Sequence, residues 1–182
     1  MARVLVPLAD GCEEVEAVTI IDLLRRAQIE VVVAGLKPGV VKASRGVQLV
    51  PDTTLDAVLD EDFDMVVLPG GMPGAANLKA DPRIVALLKK TAAADRYTAA
   101  ICAAPMVLVE AGVLAGKQAT SYPGFLDGLP GIRLSTAAVV QDGKVLTSRG
   151  PGTAMDFALV LIEVLIGSDK RVQVEKALLR SQ

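Results

Sequence analysis

An alternation constrains this chain more than any other feature. Short, uninterrupted apolar runs of strand length take turns with segments whose apolar residues recur at helical spacing. "RVLVPLA" (Arg3 to Ala9) is the first such run. "EEVEAVTIIDLLRRAQ" (Glu13 to Gln28) follows, with apolar residues at Val15, Val18, Ile21 and Leu24, the spacing of a helix lying on a sheet. "IEVVVAGL" is a second strand, "DMVVLPGG" a third ending in a glycine turn, and "YTAAICAAP" a fourth. Between them "VKASRGVQLVPD" (Val41 to Asp52) places Gly46 between two short apolar runs and reads as a small hairpin. "DPRIVALLKKTAAA" reads as a helix capped by Asp81 with Pro82 in its first turn. "KQATSYP", "AAVVQDG" and "KVLTSRG" are strand-like, the last two joined by a tight turn at Asp142-Gly143. "GPGTAMDFALVLIEVLIG" is a long helix opened by Pro151 and stopped by Gly167, and "DKRVQVEKALL" is one more. Strands that are apolar throughout are buried on both faces, so the pattern predicts an α/β fold: a mostly parallel sheet with helices on both sides. No repeat or linker interrupts it, and 182 residues suit one well-filled domain.

Composition removes several classes of function. Nineteen Lys and Arg against 21 Asp and Glu leave a net charge of −2, and the basic residues are scattered, so direct nucleic-acid binding is not expected. The opening "MARVLVPLADG" suits a first strand better than a signal peptide, and "FALVLIEVLIG" carries Glu163 and is too short to span a bilayer. A cytoplasmic protein with no membrane partner is the expectation. Cys12 and Cys102 lie in separate segments, which favours two reduced thiols over a disulfide framework. Histidine is absent altogether, which excludes a Cys-His dyad or triad of the peptidase or amidotransferase kind and any histidine metal site. Two cysteines and scattered acids do not form a zinc pattern, so neither a metal nor a cofactor is expected. "LPGG" and "GPGT" lack the glycine spacing, lysine and hydroxyl of a nucleotide loop, and read as turns.

In a sheet of this kind ligands lie at the carboxyl ends of the strands, near the point where strand order reverses. Three loops are singled out: "ADGCEEVE", "PGGMPGA" and "CAAP". In "AAICAAPMVL" an apolar strand runs up to Cys102, two alanines follow, and Pro105 starts a helix. A sharp strand-to-helix turn presents its side chain at the tip, and the helix beyond offers unpaired amides and a positive dipole end. Both favour a thiolate at Cys102. The plain alternative is a small buried residue at a strand end.

"AAICAAP", "VVLPGG", "GCEEVEAV" and "LTSRGPGTAMDFAL" together resemble the ThiJ/PfpI superfamily, in the branch of the parkinsonism-associated deglycase, from about Arg3 to about Leu179. The resemblance implies a flavodoxin-like sandwich, a homodimer, and a reactive cysteine with a glutamate beside it. Carried across, the nucleophile is Cys102, the glutamate is Glu16, and the amides of Gly71 and Ala103 face the reacting oxygen. Arg45 of "SRG" is similar to a family arginine that reaches the neighbourhood of the cysteine, and Arg26 to one at the dimer contact. Pro151 joins them as a site-lining or dimer-related position. Many relatives carry a histidine shortly before a proline where this chain has Tyr122, in "TSYPG". Acid-base work therefore falls to Glu16, which an apolar pocket beside a thiolate would push toward its protonated form. Glu13 and Glu14 are expected on other faces as solvated helix-terminal charges, and Cys12 as a small loop residue. Tyr122 and Phe125 are candidates for the mouth of a pocket that, in a chain 3% aromatic, should be small and aliphatic, suited to a two- or three-carbon substrate. Two functions are implied. One is a cysteine-dependent enzyme acting on reactive dicarbonyls, as a glyoxalase without glutathione or a deglycase of early protein and nucleotide adducts. The other is a redox-responsive chaperone or sensor in which Cys102 is oxidised to a sulfinate.

Overall fold

The four strand-length apolar runs in "RVLVPLA", "IEVVVAGL", "DMVVLPGG" and "YTAAICAAP" each form a strand. The computed structural model describes residues 1–180. In chain order the strands are β1 (Arg3–Leu8), β2 (Glu30–Gly35), β3 (Val41–Lys42), β4 (Gln48–Leu49), β5 (Thr53–Thr54), β6 (Met65–Leu68), β7 (Tyr97–Ile101), β8 (Gln118–Ala119), β9 (Arg133–Leu134), β10 (Val139–Asp142) and β11 (Val145–Ser148). The helices are α1 (Glu14–Arg26), α2 (Gly74–Ala80), α3 (Pro82–Ala93), α4 (Pro105–Glu110), α5 (Ala154–Ile166) and α6 (Ser168–Ala177).

Seven strands form one sheet in the order β10-β11-β7-β6-β1-β2-β5. Every neighbouring pair is parallel except the hairpin β10–β11. All four residues of β6 and the last five of β1 are buried, which requires cover on both faces. That cover is α1 packed beside α5 and α6 on one side, and α3 with α2 and α4 on the other, the flavodoxin-like arrangement. The β3–β4 hairpin stands apart, antiparallel about Gly46, whose φ of 96° fits its place at the turn. Asp81 caps α3 by accepting from the Arg83 N–H at 2.9 Å. Pro151 opens a single 3-10 turn, and the α-helix proper begins three residues later at Ala154. No helix is long and apolar enough to cross a membrane among the described residues.

One expectation is corrected in α1. The face that meets the core is Glu16, Ala17, Ile20, Leu23 and Leu24. Val15 and Val18 are instead 52% and 47% exposed. The helix carries two apolar stripes a fraction of a turn apart, and the one continuous with Ala17 and Ala27, small enough for close approach, takes the sheet. The chain leaves β1 for β2 on one side, then returns to β6 on the other, so strand order reverses at β1. The loops after β1 and β6 flank the resulting crevice.

Candidate active site

Cys102 follows the last residue of β7. Its N–H donates to the Ser148 carbonyl at 2.9 Å, and its own carbonyl accepts from the Tyr122 N–H at 2.9 Å. With both main-chain groups held, the residue adopts φ 64°, a left-handed conformation that costs a non-glycine residue about 1 kcal/mol. The turn lifts the side chain off the strand end, leaving the residue 8% exposed.

Glu16 reaches the same point from the first turn of α1. Glu13 caps the helix by accepting from the Glu16 N–H at 2.9 Å. The Glu16 side chain turns inward, wholly buried, and its Oε2 accepts from the Gly70 N–H at 2.8 Å. Its Oε1 is buried without a hydrogen-bond partner. Gly70 is the hinge of the arrangement: a Cβ there would lie 2.7 Å from Cys102 Cβ and 2.8 Å from Glu16 Oε2. Only a residue without a side chain lets thiol and carboxyl approach across it. Gly71 is fixed by φ 89° and by the loop after β1, since a Cβ would lie 2.7 Å from the Cys12 carbonyl carbon. Gly74 is pressed against the same loop, where a Cβ would lie 2.6 Å from Cys12 Cα.

Burial pushes the Cys102 thiol up to about 12, the charge and hydrogen bonding of Glu16 add to that, and the N–H groups of Gly71 and Ala103 oppose it. The thiolate expected from the turn is therefore outweighed: water is kept from the sulfur, and the nearest ionisable group is an acid. Burial pushes Glu16 up to about 7, opposed by the Gly70 N–H and the Cys102 thiol and reinforced by the charge of Glu13. The two groups titrate as a pair that gains its first negative charge near neutrality, and a thiolate forms when the proton that remains sits on Glu16. Gly71 and Ala103 N–H groups make no backbone hydrogen bond among the described residues and face the sulfur.

The other expected residues divide. Glu14 is not a solvated terminal charge. It is buried and accepts from Ser44 Oγ at 3.0 Å and from the Arg45 N–H at 2.8 Å, pinning the β3–β4 hairpin to α1. Burial raises its carboxyl, but hydrogen bonds from its own N–H, Ser44 and Arg45 prevail and hold it below the usual range. Cys12 is a buried loop residue whose thiol burial and the Glu14 charge push up to about 12; its carbonyl accepts from the Ser44 N–H. Arg45 is exposed at the hairpin turn, and Arg26 pairs with Asp22 at 2.7 Å one helical turn back. Pro151 is exposed, and within this chain the structure brings neither Arg26, Arg45 nor Pro151 to the sulfur by any hydrogen bond or ion pair among the described residues. Tyr122 sits one backbone hydrogen bond from Cys102, its ring and that of Phe125 meeting edge to face. Sequence reasoning missed Gly70 and Ser148; the doublet in "PGG" was the available signal for the first, and nothing in the sequence marks a carbonyl acceptor. Among the described residues no group of three or more His, Cys, Asp or Glu is placed to hold a metal ion.

Comparison with known proteins places the chain by its sequence and its fold. The model of the DJ-1/PfpI family matches residues 2–164. Protein DJ-1 homolog B of Arabidopsis thaliana is 44% identical over 179 residues, 97% of this chain but 41% of that protein, so this chain spans less than half of it. Protein dj-1beta of Drosophila melanogaster is 47% identical over 178 residues, 96% of this chain and 95% of that one. Its crystal structure superposes with a TM-score of 0.96, covering 100% of this chain and 99% of the other at 44% identity. A Caenorhabditis elegans relative named glutathione-independent glyoxalase DJR-1.2 is 36% identical over 180 residues, 97% of this chain and 95% of that one. By family match, near-complete coverage and shared architecture, this chain belongs to the DJ-1/PfpI family.

Proposed function

We propose that the chain is a cysteine-dependent enzyme that converts 2-oxoaldehydes such as methylglyoxal to 2-hydroxy acids without glutathione. The observation that carries this reading is convergence: a thiol, a buried carboxyl and two unused N–H groups meet around Gly70, brought by the first turn of α1 and the turns that follow β6 and β7. Sulfur attacks the aldehyde carbon as the thiol proton passes to Glu16, and the oxyanion of the resulting hemithioacetal meets the Gly71 and Ala103 amides. The oxyanion then takes that proton. Glu16, again a carboxylate, removes the hydrogen on the aldehyde carbon as a proton and delivers it to the neighbouring carbon. The aldehyde carbon is thereby oxidised to a thioester and the ketone reduced to an alcohol. Water hydrolyses the thioester, releasing the 2-hydroxy acid and the thiol. A carboxyl poised near 7 suits a group that must both take and give a proton at neutral pH. The name of the C. elegans relative supports the reaction class, and the same attack serves early adducts of these aldehydes with proteins and nucleotides.

A homodimer belongs to the same proposal. Val15 and Val18 on α1 and Val47 and Val50 beside the hairpin are exposed apolar residues, flanked by Arg26 and Arg45, and a second copy of the chain would cover them. Incubating the purified protein with methylglyoxal in glutathione-free buffer and measuring lactate tests the reaction; lactate formation above the protein-free rate is expected, and its absence overturns the proposal.

A further inference from the structure

The chain has two tyrosines, three phenylalanines and no tryptophan. Its one aromatic pair among the described residues, Tyr122 with Phe125, ring centroids 6.4 Å apart and 72° between planes, stands beside the reactive cysteine. Tyr122 is rooted there by its N–H bond to the Cys102 carbonyl at 2.9 Å. Its ring lies over Gly150, where a Cβ would come within 3.4 Å of Cδ2, two residues beyond the Ser148 whose carbonyl holds the Cys102 N–H. Phe125 supports one edge. The residue is nevertheless 49% exposed, so it does not serve the core. Its hydroxyl makes no hydrogen bond among the described residues, so nothing orients it as a proton donor. What the residue presents is a half-exposed ring with Gly150 against one side and Phe125 against another, on a main chain tied to Cys102.

The rest of the surroundings are small. Gly70, Gly71, Ala103 and Ala104 contribute only main chain and methyl groups. Resting on the dicarbonyl reading above, we infer that Tyr122 is a specificity-determining residue whose ring favours aryl-substituted 2-oxoaldehydes over the two- and three-carbon aldehydes that composition alone suggested. A methyl group covers little of a phenol ring, whereas a phenyl group can stack on it or meet its edge.

The test compares phenylglyoxal with methylglyoxal, reading mandelate and lactate, in the wild-type protein, Tyr122→Phe and Tyr122→Ala. The intrinsic reactivities of the two aldehydes cancel when the ratio of their kcat/KM values is compared between variants. Tyr122→Ala should lower the ratio of phenylglyoxal to methylglyoxal about two- to tenfold, the range for one aromatic contact. Tyr122→Phe keeps the ring and should hold the ratio within about twofold of wild type. An unchanged ratio in Tyr122→Ala, with methylglyoxal still turned over, overturns the inference alone. Loss of the preference in Tyr122→Phe overturns it by moving the effect to the hydroxyl. No turnover of either aldehyde by the wild-type protein overturns the reading on which it rests.

Discussion

Replacing Glu16 by Gln should change how stability depends on pH. In the folded chain burial pushes the carboxyl from 4.5 up to about 7. The native state therefore holds a proton there that the unfolded chain has already released between those two values. A group of this kind contributes stability fully below pH 4.5, loses it progressively as pH rises to 7, and changes nothing further above. A gap of this size corresponds to about 3 kcal/mol. Gln cannot titrate, so the stability difference between wild type and Glu16→Gln should shift by about 3 kcal/mol against wild type between pH 4.5 and pH 7.5. Taking the difference removes the other carboxylates, which are common to both proteins. Urea unfolding at four pH values across that window supplies the numbers, and the upper limit keeps the Cys102 thiol from contributing. A difference constant to within about 0.5 kcal/mol would show that Glu16 ionises like a solvated acid, and the argument from its burial would fail.

Three further outcomes follow from the same geometry. Cys102→Ser should abolish lactate formation while Cys12→Ser keeps most of it, because only Cys102 faces unused amides; equal losses would undo the choice of nucleophile. Gly70→Ala, whose backbone is not left-handed, should act through volume alone: the new Cβ falls about 0.6 Å short of ordinary contact with Cys102 and Glu16. It should cost about 1–3 kcal/mol of stability and on the order of a hundredfold in kcat/KM, and unaltered kinetics would refute the close approach. Sedimentation at micromolar concentration should give a dimer that Val18→Glu weakens, and a wild-type monomer would remove the proposed partner.

The fold was legible because β1, β2, β6 and β7 are continuous apolar runs, and such runs have few ways to be buried. Two-residue strands such as β5 and β9 carry no period and left no trace, and of the strand-like "KQATSYP" only Gln118–Ala119 forms a strand. At the site, the turn chemistry around Cys102 was readable and its electrostatics were not. Amides follow from the position of Pro105, but burial of the sulfur and the proximity of Glu16 depend on how α1 sits against β6. Glu14 misled for a related reason: a glutamate in the first turn of a helix looks solvated until a hairpin thirty residues later folds over it. The spacing of Val15, Val18 and Ile21 was equally compatible with the sheet or with solvent, and only the small residues Ala17 and Ala27 break the tie.

The contact between the loops after β1 and β6 is made of main chain. Gly71 and Gly74 bring backbone onto backbone there, Gly70 sets its own against the side chains of Cys102 and Glu16, and through these contacts the thiol, the carboxyl and the amides acquire their positions. Atoms that every residue type shares thus set the chemistry, while the half-exposed side chains of Met72 and Tyr122 stand at the rim. Sequence drift is partitioned accordingly. The rim can be exchanged without rebuilding the acid-thiol pair, whereas a single methyl group at Gly70 disturbs it. A scaffold of this kind is open to new substrates and closed to new mechanisms.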